Sequence, residues 1–94
     1  MRKCVDVRGG EVYIGKLYDD GSYTFFLRLY SDENGIFQMQ WLRNSDEACE
    51  FLAGCNEVYD LLIGGLVGVK AEEIGDELVG KGYVLISQIC MDLS

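Results

Sequence analysis

The chain has no histidine and no proline, and after residue 43 its basic side chains dwindle to Lys70 and Lys81. Each shortage excludes something. Without histidine, the commonest general base and a common zinc ligand are both gone. Without proline there are no Pro-rich linkers, and neither low-complexity segments nor internal repeats take their place. Long hydrophobic runs are missing too. The glycine-rich uncharged run Leu61–Val69 has nine residues, whereas a membrane-spanning helix needs about 20. The start, MRKCVDVRGG, is basic but lacks the apolar stretch of a secretory signal. A soluble cytoplasmic protein with no membrane partner is the expectation.

Cysteine is present but badly spaced for metal. The nearest pair among Cys4, Cys49, Cys55 and Cys90 lies six positions apart, unlike the close ligand pairs of zinc sites. Reduced, mostly buried thiols are expected rather than disulfides, and no metal or cofactor is expected.

What remains is an ordinary globular balance, 49% hydrophobic and 26% charged over 94 residues. That is enough for a modest core in a single domain over residues 1–94. The net charge of −8 is unevenly placed. Residues 1–43 balance, with Arg2, Lys3, Arg8, Lys16, Arg28 and Arg43 set against Asp6, Glu11, Asp19, Asp20, Asp32 and Glu33. The whole excess sits on residues 44–94. That half repels nucleic acid and anionic membrane and attracts basic surfaces.

The neutral half reads as an antiparallel meander. Gly9-Gly10 form a two-residue turn that sets Arg8 opposite Glu11, Val7 opposite Val12 and Val5 opposite Ile14. A second two-residue turn at Asp20-Gly21 sets Tyr18 against Tyr23 and Ile14 against Leu27. A third, three-residue turn at Glu33-Asn34-Gly35 sets Leu29 against Met39 and Leu27 against Trp41. One face then collects Val12, Ile14, Tyr18, Tyr23, Phe25, Leu27 and Leu29. The other carries Tyr13, Leu17, Thr24, Phe26, Arg28 and Tyr30, with Gln38 and Gln40. This second face is covered by a helix, or carries aromatic residues that sit scattered and half-exposed, or is a docking surface, since Tyr and Arg are enriched at interface hot spots.

The acidic half turns helical. Asn44 or Ser45 caps a helix whose first turn holds Asp46 and Glu47, and Ala48, Phe51, Leu52 and Cys55 form its buried stripe. After Gly54, the segment EVYDLLIG continues the spacing through Val58, Tyr59, Leu62 and Ile63. A third helix, KAEEIGDELVG, buries Ala71, Ile74 and Leu78 and exposes Glu72, Glu73, Asp76 and Glu77. The last strand, YVLISQICM, reads as an interior or covered strand. The fold class is α+β: an antiparallel sheet of four to five strands, a meander plus the C-terminal strand, with two to three helices on one face.

LLIGGLVGVK resembles a phosphate loop only superficially. A Walker loop closes with Gly-Lys-Ser/Thr, and here Val69-Lys70-Ala71 stands instead. The dinucleotide fingerprint is absent as well. A hinge is the expectation, with Lys70 pairing with Glu73 or Glu72. No nucleophile has an evident base, so the chain is read as non-catalytic.

The acids carry the functional expectation. Glu72/Asp76 and Glu73/Glu77 are like-charge pairs one turn apart, which work against an isolated helix, and Asp46, Glu47 and Glu50 form a second group. Such spaced carboxylates either keep the protein soluble or imitate phosphates in a basic channel. The expected partner is a protein with a basic surface, a nucleic-acid-handling effector, with no direct nucleic-acid binding. In build (short, acidic, one α+β domain) the chain is similar to phage-encoded counter-defence inhibitors such as anti-CRISPR proteins. The alternative is a homo-oligomeric accessory subunit, a homodimer for instance, joined through the aromatic sheet face around Tyr13, Phe26 and Tyr30.

Overall fold

The structure, a computed structural model, describes residues 2–64 and 68–87. Strands β1 (Arg2–Arg8), β2 (Glu11–Leu17), β3 (Tyr23–Ser31) and β4 (Phe37–Trp41) precede helices α1 (Ser45–Ala53), α2 (Asn56–Ile63) and α3 (Ala71–Gly80), and β5 (Val84–Leu85) follows. The sheet order is β4-β3-β2-β1-β5, with three antiparallel pairs and one parallel pair between β1 and β5. The fold is α+β, and all three helices pack on one face of the sheet.

The first and third turns set the register as the residues dictate. Gly9 and Gly10 take φ of 57° and 77°, and Arg8 pairs with Glu11. Gly35 takes φ of 78°, and Leu27 pairs with Trp41. The second turn differs. Tyr18 N–H donates to the Ser22 carbonyl at 2.8 Å, closing a three-residue loop with Gly21 at φ 88°. Tyr23 therefore pairs with Leu17, not with Tyr18.

That extra loop residue is taken back within the sheet. Ile14 pairs with Leu27 but Gly15 pairs with Phe25, so Phe26 stands opposite no residue. This is a β-bulge. The bulge turns two consecutive side chains, Phe26 and Leu27, toward the helices. Phe26 stacks on Phe51 of α1, with ring centroids 4.8 Å apart. The expectation that Phe26 shares a face with Tyr13 and Tyr30 is thereby overturned, and Phe25 and Tyr23 go to that face in its place.

The core between the layers holds Val5, Val12, Ile14, Leu27, Leu29, Phe51, Val58, Ile74 and Leu78, all buried. Asn44 caps α1, its side chain accepting from Glu47 N–H at 2.9 Å. Within α2, Val58 is buried but Tyr59 is 53% exposed, contrary to the stripe read from spacing. α3 lies so close to β1 that a Cβ on Gly75 would meet Val7 Cγ2 at 2.7 Å. The expected long C-terminal strand is shorter: β5 pairs at the sheet edge with Cys4 and Val5, and Ile86 and Ser87 already turn helical. The rest of that stretch with Cys90, and residues 65–67 of LLIGGLVGVK, lie outside the described residues. Among the described residues, no helix is long and apolar enough to cross a membrane.

Candidate functional site

The two groups of acids stand on separate parts of the helical layer. α1 packs on β3 while α3 packs on β1 and β2. On α1, Asp46, Glu47 and Glu50 are exposed, and Glu47 pairs with Arg43 at 3.5 Å. On α3, Glu72, Glu73, Asp76 and Glu77 are all exposed and share the side away from Ile74 and Leu78. Glu73 accepts the backbone N–H of Lys70 at 3.4 Å, closing the helix start. Lys70 thus meets Glu73 through its backbone. Among the described residues no ion pair neutralises the α3 carboxylates, whereas Arg8, Arg28, Arg43 and Lys3 are each paired to an acid elsewhere.

The sheet face away from the helices is knit together by arginines. Arg28 grips Glu11 through two nitrogens, Nε at 2.6 Å and Nη2 on the other oxygen. It also donates to Gln40 Oε1 at 2.6 Å and lies over the Tyr30 ring at 4.5 Å. Tyr13 donates its hydroxyl to Glu11 at 2.8 Å. Beside them Arg8 lies over Phe25, which packs between Tyr13 and Tyr23. Tyr13 and Tyr30 therefore do lie on this face, each only partly exposed and each engaged by charge.

Arg28, and then Tyr13, hold the Glu11 carboxyl well below its ordinary 4.5, at about 2. Because the folded state favours the ionised form, its stabilisation is complete above pH 4.5 and is lost as pH falls through 2. In urea titrations, the stability advantage of wild type over Glu11→Gln should be flat above pH 5 and vanish near pH 2. An advantage unchanged by acid would refute the Arg28–Glu11 clamp.

Two features of this face escaped the sequence reading. Asp6 is 2% exposed, accepting from Arg8 Nε at 2.6 Å and from Ser87 N–H at 3.3 Å. Its spacing from Arg8, two apart on one strand, puts both on one side and was the available signal. Next to it Cys4, Leu17 and Ile86 form a small second core with Phe25 and Val84. Burial pushes the Cys4 thiol up to about 11.

One cleft of about 270 Å³ opens between the sheet and the end of α1, lined by Arg2, Lys3, Lys16, Glu50, Phe51 and Cys55. Both of its lysines are already engaged: Lys3 sits 3.7 Å from Glu57, and Lys16 lies over the Phe26 ring. Burial raises the Cys55 thiol, which keeps it from being the thiolate that nucleophilic chemistry requires. Among the described residues no three His, Cys, Asp or Glu side chains converge as a metal site needs. No protein-family model, no curated protein and no solved structure matches this chain.

Proposed function

We propose that the protein is a non-catalytic inhibitor that docks its acidic helical layer on a basic, nucleic-acid-handling protein, in the manner of phage-encoded counter-defence proteins. The observation that carries this reading is the asymmetry of charge pairing. Four cations are matched to carboxylates, and Glu72, Glu73, Asp76 and Glu77 are left exposed on one helix side with no ion pair among the described residues. Carboxylates at helical spacing offer a basic channel the negative charge its phosphates normally supply, and such fields raise association rates strongly at low salt.

The test replaces Glu72, Glu73 and Glu77 with Gln and Asp76 with Asn. Binding to a basic partner captured from host lysate should weaken by roughly 10- to 100-fold, and wild-type binding should fall with added salt. Undiminished binding by the neutralised helix would rule out phosphate mimicry. A second reading, an oligomeric subunit joined through the aromatic sheet face, draws on Tyr23, which is 39% exposed beside Phe25.

A further inference from the structure

Residues 36–42, Ile-Phe-Gln-Met-Gln-Trp-Leu, form the outer edge of the sheet and contain no charge, proline or glycine. Natural edges ordinarily carry such residues to block strand addition. Here the opposite holds: Ile36, Met39 and Leu42 are exposed large hydrophobics. The stretch is also a palindrome of residue character centred on Met39.

The backbone agrees with that centre. In an antiparallel ladder, alternate residues send both N–H and C=O to one neighbour, and the residues between send both away. Asp32 N–H donates to the Ile36 carbonyl at 2.9 Å and Leu42 N–H to the Phe26 carbonyl at 3.0 Å. The even-numbered residues of this stretch therefore face β3, and Phe37, Met39 and Trp41 turn their N–H and C=O outward. No described residue takes those groups up. The next outward carbonyl, that of Gly35, receives Gly68 N–H at 3.2 Å, which bounds the open run at Phe37.

We propose that β4 pairs antiparallel with β4 of a second copy of this chain about a two-fold axis at Met39, joining the two sheets edge to edge. Phe37 then stands opposite Trp41 of the second copy, Met39 opposite Met39, and Trp41 opposite Phe37. Every outward N–H and C=O of the three residues finds a partner, and any neighbouring register leaves one residue over. On the helix side the pairs are all apolar. On the other side Ile36 meets Leu42 and Gln38 meets Gln40, and no charge opposes another.

The glutamines decide in favour of self-pairing. Gln38 donates its amide nitrogen to Asp32 at 3.0 Å, so its oxygen remains to accept. Gln40 accepts from Arg28 with its oxygen at 2.6 Å, so its nitrogen remains to donate. A carboxylate can only accept and a guanidinium can only donate, which fixes both amide orientations. In the two-fold register the free nitrogen of Gln40 faces the free oxygen of Gln38, twice by symmetry. An edge-to-edge contact lies at the small end of interface sizes, so the dimer is concentration-dependent. Both copies carry a charge of −8, so added salt strengthens it, the reverse of the salt effect on a basic partner.

Sedimentation velocity from micromolar to submillimolar protein tests this with wild type, Met39→Lys and Met39→Glu. Each variant sets like charges directly opposite at the axis and should raise the dissociation constant by at least ~10-fold. An equimolar mixture of the two variants sets opposite charges there and should restore the dimer. Thermal melts verify folding, which an edge residue 38% exposed should tolerate changing. Amide exchange at Phe37, Met39 and Trp41 should slow as wild-type concentration rises. A wild type that stays monomeric, a dimer untouched by either variant, or a mixture that fails to associate overturns the proposal. So does a dimer lost with Tyr23→Ala and kept with Met39→Lys, which would place the contact on the aromatic face.

Discussion

Gly15→Ala should cost the protein a large share of its stability. Gly15 lies mid-strand in β2, directly across from the bulge at Phe26. A Cβ there would lie 2.7 Å from Phe25 Cα and closer still to the Thr24 carbonyl oxygen. Both obstacles are backbone, so no side-chain rotation relieves them. To admit the methyl group, β2 and β3 must separate where they carry the centre of the sheet, and Leu17 and Phe25 on one side and Phe26 on the other move with them. Overpacking ordinarily costs about 1–3 kcal/mol, and here, where only backbone can give way, about 3 kcal/mol or somewhat more is expected, against a total of about 5–15 kcal/mol for a domain of this kind. The urea midpoint reads this directly. A Gly15→Ala protein within about 0.5 kcal/mol of wild type, the range of an ordinary surface change, would show that the strands do not approach as closely as described.

The second large effect concerns two adjacent phenylalanines. Phe26→Ala should cost about 3–4 kcal/mol, as truncating a buried aromatic does. It removes the ring that is 7% exposed, stacks on Phe51 and lies under the Lys16 ammonium. Phe25→Ala takes a partly exposed ring from the opposite face and should cost about 1–2 kcal/mol. Plain alternation along the strand assigns the burial the other way, with Phe25 under the helices. Equal losses, or a larger loss at Phe25, would therefore argue for an unbulged strand.

These two substitutions mark where sequence reasoning stopped. The pairing of Ile14 with Leu27 was legible in advance, yet by an accidental cancellation. The loop at Asp19–Gly21 is one residue longer than a two-residue turn, and the bulge at Phe26 is one residue in excess, so the register beyond both is unchanged. Between them every side chain of β3 changes face. An isolated glycine within an apolar strand was the available sign, because it so often marks a bulge or a close backbone approach. The acids of α3 were placed correctly because a short amphipathic helix has one apolar side, and Ile74 and Leu78 fix it. Tyr59 fell the other way because helical spacing names a stripe without saying how far a neighbouring element covers it.

By itself the sequence determined what local chemistry controls. Paired glycines with positive φ set the first hairpin, a left-handed Gly35 set the third, Asn44 capped α1, and the split of charge between the halves followed from counting. Only the tertiary structure decided which strand lies at each edge, which phenylalanine meets α1, and that Asp6 is buried beside Arg8. Those depend on contacts between residues far apart in the chain, whose register a single extra residue can shift. The palindrome around Met39 joins the two kinds of information. Its letters are local, but their meaning rests on β4 being an edge and on Asp32 and Arg28 having fixed which end of each glutamine is free.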